Sequence, residues 1–228
     1  SMISNAEVKR VWAEDICRLL QSHELNFVVA GGGARDTALG VEPKDYDIVV
    51  FGWGGDVSRV VGRLEWLDTN LEAYAKQHNL PYEYMPSYHD AAEGGDFGSR
   101  LYGVFKLGPV DIIISKCGCW SQVLSEFDFN LNQFYFPSSI PRYSGQYSRD
   151  PGEFMAYPYE PKLTAEDVQW YPALASLVES YDDLLTLRVC RPDASLSRVA
   201  YMLEKHETHR ERIEAYVNRM PDHLGGTA

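Results

Sequence analysis

Between residues 27 and 51 the chain runs Phe27-Val-Val-Ala-Gly31-Gly-Gly-Ala-Arg35-Asp36-Thr-Ala-Leu-Gly40-Val-Glu-Pro-Lys-Asp45-Tyr-Asp47-Ile-Val-Val-Phe51, and the rest is arranged around this passage. Phe27 to Ala30 is an apolar run too short for a helix and is stopped by three glycines, so it predicts a buried strand. Three consecutive glycines permit a sharp turn and let a ligand approach the backbone with no Cβ in the way. The brief helix expected after the turn would aim its unbonded N–H groups back at it, which makes an anion site. From Lys44 to Phe51 the pattern alternates, with Asp45 and Asp47 on one strand face and Tyr46, Ile48 and Val50 on the other. Two carboxylates on one face, beside a glycine turn, suggest a cation held against phosphates.

Spacing excludes the commoner glycine loops. A dinucleotide fingerprint needs a third glycine where Asp36 stands, and a Walker loop needs Gly-Lys-Ser/Thr where Gly40-Val-Glu stands. A lone Asp-x-Asp is an ordinary feature of an exposed strand. The whole string is more specific: Gly-Gly-x-x-Arg-Asp-x-x-Leu-Gly, then Lys-Asp-x-Asp-Ile-Val, carried by Gly31, Gly32, Arg35, Asp36, Leu39, Gly40, Lys44, Asp45 and Asp47. It resembles the signature of class II nucleotidyltransferases, the family of CCA-adding enzymes and bacterial poly(A) polymerases, whose catalytic head has a DNA polymerase beta-like fold.

Composition sets the bounds. The 228 residues suffice for one large domain, or a domain with a small appendage, without staples. A hydrophobic content of 45% excludes a disordered chain, and a formal charge of -12 disfavours bulk adhesion to nucleic acid or anionic membrane. There is no run of eighteen apolar residues and no signal-peptide core, so a cytoplasmic protein is expected. Cys17, Cys117, Cys119 and Cys190 are then expected as thiols, and Cys117-Gly-Cys119 lacks the second ligand pair of a zinc site.

Outward from the central passage, Val8, Val11, Trp12, Ile16, Leu19 and Leu20 predict an amphipathic helix over residues 4–22 that packs on the sheet. Asp56 is a candidate N-cap for a long helix to about Asn79, with Val57, Val60, Leu64, Leu67 and Leu71 on its buried side. Strands are expected near 81–86 and 99–107, around a polar loop at 89–98, and again over 109–114. Asp111 interrupts that last apolar run, where an acid needs a partner or a metal. Trp120 to Glu126 reads as a short helix. Residues 137–163, rich in Pro, Tyr, Ser and Gly, read as a boundary or long loop whose Tyr143, Tyr147, Tyr157 and Tyr159 serve packing more than base stacking. Helices are expected to about Leu185, from Asp193 or Ser195, and near 207–219, with His206 and His209 on an exposed helix and no zinc-binding spacing. The segment from Arg188 to Arg219 is slightly basic.

The resemblance implies more than the residues say alone. It implies a third carboxylate on a neighbouring strand, for which Asp111 is the candidate ahead of Asp90 and Asp96. It implies Mg2+, or Mn2+ in its place, on Asp45, Asp47 and Asp111, and a nucleoside triphosphate as substrate. Gly31, Gly32 and Gly33 would cradle the triphosphate, and Arg35 would contact phosphate or pair with Asp36 or the aspartate strand to fix the turn. Phe127-Asp128-Phe129-Asn130-Leu131-Asn132 resembles the family's Arg-Asp-Phe-Thr-Ile-Asn motif, which helps hold the nucleotide sugar through Asp128 and Asn132; the arginine is replaced by Phe127. Lys44 joins the nucleotide contacts, and Arg198 is matched to the arginine of a base-reading helix whose motif is otherwise not reproduced. The fold class expected is α+β: a small mixed nucleotidyltransferase sheet with flanking helices and a helical C-terminal part. Residues 1–136 would form the head, 137–163 a connecting loop region and 164–228 a helical subdomain. The long tRNA-embracing body of CCA-adding enzymes does not fit, so tRNA binding is disfavoured and compact head-only proteins, some phage-encoded, are the nearest likeness. A nucleotide-binding or regulatory module without turnover, and a structural protein on the same fold, are the other two readings.

Overall fold

The computed structural model describes residues 5–86, 100–137, 141, 146–147, 184–191 and 193–219, and its class is α+β. The loop at 89–98 with Asp90 and Asp96, Tyr143, Tyr157, Tyr159 and the helices expected between 164 and 183 lie outside the described residues. In chain order the elements are α1 (Asn5–Ser22), β1 (Asn26–Ala30), α2 (Gly32–Leu39), β2 (Tyr46–Phe51), α3 (Val57–Gln77), β3 (Tyr82–Pro86), β4 (Leu101–Leu107) and β5 (Val110–Ser115). Then follow α4 (Trp120–Ser125), a 3-10 turn (Asn130–Asn132), β6 (Phe134–Tyr135), β7 (Gln146–Tyr147), α5 (Leu196–Thr208) and α6 (Arg210–Arg219). No helix among the described residues is long and apolar enough to cross a membrane.

The elements fall into two compact units that interleave along the chain and cut across a linear boundary at residue 136. The first takes the residues up to Val29 and from Lys44 to Val123; the second takes Ala30 to Pro43, 124–137 and the residues beyond 143. The glycine turn therefore belongs to the same unit as residues far away in sequence.

In the first unit the strands lie in the order β3-β4-β5-β2-β1. β2 and β5 run parallel, from Tyr46 opposite Val110 to Val50 opposite Ile114; β4 is antiparallel to both β5 and β3. Ile48, Val50, Phe105, Leu107, Val110, Ile112 and Ile114 are fully buried. α1 covers β2 and β5, and α3 covers β3 and β4. Helical spacing gives α1 its buried Ala13, Ile16, Cys17 and Leu20, and α3 its Val60, Leu64, Leu67, Leu71 and Ala75. Asp56 caps α3, accepting from the Ser58 and Arg59 backbone N–H groups at 3.1 and 3.4 Å. Val57, expected on the buried side, lies in the first turn and is 72% exposed.

In the second unit Ala30, the last residue of β1, pairs antiparallel with Tyr135 on β6, and β6 pairs with β7. Tyr147 thus lies on a strand rather than in a loop. α2 packs against β6, β7, the 3-10 turn and α6. Phe129, Leu131, Phe134, Tyr135 and Phe136 meet Leu184, Met202, Ile213 and Tyr216 in the buried set, with the Phe134 and Tyr216 rings 5.5 Å apart. His206 belongs here too, and the exposed helix expected for it is corrected: it is 7% exposed, with Nε2 2.9 Å from the Leu184 carbonyl oxygen. A carbonyl only accepts, so Nε2 carries the proton.

Candidate functional site

Asp47 on β2 stands directly opposite Asp111 on β5. Registered residues of parallel strands share a face, so both carboxylates leave the sheet on the side away from Ile48, Val50, Ile112 and Ile114. The row continues through the antiparallel strands: Lys106 is opposite Asp111, and Glu83 is opposite Lys106. Four charged residues from four strands, Glu83, Lys106, Asp111 and Asp47, therefore lie side by side at cross-strand spacings of about 4.5–5.5 Å between Cβ atoms. Asp45 is exposed one residue before β2, beside the exposed Lys44. Asp111 is half-buried, and burial pushes its carboxyl above the usual carboxylate range; Lys106 pulls it down and Asp45 pushes it up further. The charge of Asp45 is thus felt at Asp111, the residue in register with Asp47.

Partly exposed carboxylate oxygens fit a hard divalent cation that keeps some of its water. Among the described residues no three His, Cys, Asp or Glu side chains stand gathered as ligands of one ion. Like charges at this spacing repel, so drawing these oxygens together takes the charge of a cation.

In the second unit Gly31 precedes α2 with φ 89° and ψ -147°, a conformation open to glycine alone. Its N–H donates to the Phe134 carbonyl at 2.8 Å, so its predicted place in a phosphate cradle is corrected: that donor is engaged in the sheet. Gly32 and Gly33 open the helix, and their N–H groups lie outside its i→i-4 ladder; Gly32 is half-buried and Gly33 buried. A Cβ at Gly32 would stand 3.2 Å from Arg35 Nη2, so the guanidinium lies directly against the turn.

Of the two roles open to Arg35, the geometry gives the pairing. Arg35 Nε donates to Asp36 Oδ1 at 2.9 Å and Nη1 to Asn132 Oδ1 at 2.8 Å, with Arg35 3% and Asp36 6% exposed. Asn132 Nδ2 donates to Asp128 Oδ1 at 3.1 Å, and Arg198 Nε donates to Asp128 Oδ2 at 2.8 Å. Arg198, Asp128, Asn132, Arg35 and Asp36 form one hydrogen-bonded chain, two arginine–aspartate pairs joined through the neutral amide of Asn132. Its outer end is Arg198, 41% exposed, with Tyr201 packed under the guanidinium at 5.5 Å. A charge-assisted chain of this kind fixes side-chain direction more than it adds stability.

Sequence reasoning missed several residues that hold these groups in place. Asn130 Oδ1 accepts from the Arg188 N–H at 2.8 Å and its Nδ2 donates to the Thr186 carbonyl at 2.9 Å, which docks residues 186–190 along Asp128 and Phe129. Arg212 Nη1 donates to the Leu39 and Gly40 carbonyls at 3.1 and 3.0 Å, closing the C-terminal end of α2 where a cation is favoured. No local signal marks either residue. Lys106 was findable: a two-residue turn at Gly108-Pro109 sets Leu107 opposite Val110 and Lys106 opposite Asp111. His209 feels Asp36, Arg35, Lys205 and Arg212, and burial first, then those cations, hold it below its ordinary value against the pull of Asp36. No protein-family model matches the chain, and no curated protein matches it either.

Proposed function

We propose that this protein is a metal-dependent nucleotidyltransferase, moving a nucleoside monophosphate from a nucleoside triphosphate to an acceptor. The observation that carries this reading is the registered pair Asp47 and Asp111, with the charge of Asp45 felt at Asp111. The resemblance of residues 31–47 to the class II signature supports it. Asp45, Asp47 and Asp111 would hold Mg2+, or Mn2+. When bound, such a cation supplies charge stabilisation to the attacking and leaving oxygens of an in-line displacement. The acceptor's nucleophile bonds to the α-phosphorus, the bond to the bridging oxygen breaks, and pyrophosphate leaves with the electron pair.

The chain's own groups bind and orient. Gly32 and Gly33 offer backbone donors for the triphosphate, and Arg35, paired with Asp36 and Asn132, holds the turn that presents them. Asp128 and Asn132, locked by Arg35 and Arg198, face the sugar in this reading, and Lys44 adds a mobile cation. Arg198 on α5 sets a guanidinium against Asp128, and in this reading it stands in for the arginine missing at Phe127. The acceptor is an RNA end, a protein side chain or a small molecule. With a formal charge of -12, binding to bulk tRNA should be weak and steeply salt-sensitive.

Phe127 favours a second reading, a nucleotide-binding module without turnover. One experiment separates the two. The protein is incubated with each labelled nucleoside triphosphate, Mg2+ and a fractionated cell extract, beside Asp47→Asn. Label transferred by wild type alone supports the transferase; saturable nucleotide binding with no transfer to any fraction supports the module.

A further inference from the structure

Lys106 takes no part in the reaction as just described, yet it is the one cation in a registered row of acids. Glu83 is opposite it on β3 and Asp111 on β5, Asp47 lies one strand further, and Asp45 acts on the same carboxyl. Lys106 is exposed, so its ammonium, on a flexible four-carbon stem, can swing toward either neighbouring acid. The other residues registered on this sheet face, Val49, Val104 and Ile113, carry no charge.

We propose that Lys106 is a positioning residue, a built-in counter-charge that competes with a divalent cation for the acidic strands and turns to the polyphosphate when the cation arrives. The inference rests on the assignment of Asp47 and Asp111 as metal ligands made above. Its physical content is simple. A unit positive charge one strand away opposes a bare divalent ion but attracts a metal-bound polyphosphate, whose net charge is negative. The cation alone should therefore bind weakly and the cation with nucleotide well, so that the two load together.

The test titrates the full chain with Mn2+ and follows free Mn2+ by electron paramagnetic resonance, alone and with a non-hydrolysable ATP analogue. Lys106→Gln should bind Mn2+ alone roughly tenfold more tightly and Mn2+ with the analogue several-fold more weakly. Lys106→Arg should restore wild-type behaviour in both. Glu83→Gln, which releases Lys106 toward the aspartates, should weaken Mn2+ binding alone. A Lys106→Gln protein with unchanged Mn2+ affinity, or one shifted in the same direction in both titrations, overturns the proposal. Asp47→Asn and Asp111→Asn tell the two failures apart: if they weaken Mn2+ binding while Lys106→Gln leaves it unchanged, only the role of Lys106 falls. If neither aspartate variant changes it, the metal assignment falls as well.

Discussion

Arg198 Nε donates to Asp128 Oδ2 at 2.8 Å from 70 positions further along the chain, and Asp128 passes the link through Asn132 to Arg35. The two ends differ in setting: Asp128 is 12% exposed as a side chain, Arg198 is 41%. Water therefore screens part of the attraction, and Arg198→Ala should cost about 1 kcal/mol rather than the several of a fully buried pair. A double-mutant cycle with Asp128→Asn, read by urea unfolding, should leave a coupling of about 1 kcal/mol. Additive losses would mean the pair is incidental and Asn132 alone holds Asp128.

The glycine turn makes a graded prediction. Gly31→Ala forces an L residue into φ 89°, ψ -147° and should cost about 1–3 kcal/mol. Gly54 has φ 69°, and a Cβ there would meet nothing within 4 Å, so Gly54→Ala meets backbone strain alone and should cost about 1 kcal/mol. The order of the two costs in denaturant melts is the check; equal losses would remove the special role of Gly31.

His209 gives stability a pH dependence with a definite sign. Its value in the folded protein is held below the ordinary histidine value of 6.5 by burial and by Arg35, Lys205 and Arg212. The unfolded chain then binds the proton more readily, so stability rises with pH. The contribution is fully present above the unfolded value and is lost as pH falls toward the depressed folded one. His209→Gln should flatten the fall in melting temperature on acidification below about pH 6.5 and leave the neutral region nearly unchanged. A variant with the same acid slope as wild type would assign that slope to other groups.

The strand, turn, helix and strand of residues 26–51 were legible because local signals agree there: a short apolar run, three glycines, and an alternation that separates Asp47 from Ile48. The pairing of Asp111 with Asp47 was legible as an acid in an apolar strand, although its counter-charge Lys106 went unread despite the turn that sets the register. What stayed hidden depends on contacts far apart in sequence. The Gly31 N–H goes to Phe134, whose strand is two residues long and has no periodicity to show. His206 is buried because Leu184 offers it a carbonyl, and a helical pattern says nothing about a segment that packs from 22 positions away. The partner of Arg35 is not legible in the sequence, which gives no sign of which acceptor a guanidinium will meet.

The last prediction separates chemistry from scaffolding. At neutral pH Asp111 is half-buried, and its proton is held more tightly than in the unfolded chain, so its charge opposes folding. Asn in its place nearly preserves shape and removes that charge. Asp111→Asn should therefore stabilise the metal-free protein modestly, because water at the half-exposed carboxylate screens much of the penalty, and raise its melting temperature by about 1–2 °C. A raised carboxyl loses its penalty as pH falls through its folded value, so the gap between mutant and wild type should close in acid. Asp47→Asn, in register with it, should show a gain of the same sign. In wild type, Mg2+ with nucleoside triphosphate should raise the melting temperature, because a ligand that binds only the folded state stabilises it; both variants should lose this response. Melts in EDTA, in Mg2+, and in Mg2+ with nucleotide decide the matter. A variant that is destabilised in EDTA and still responds fully to Mg2+ and nucleotide would make these aspartates structural, and the transferase reading would go with them.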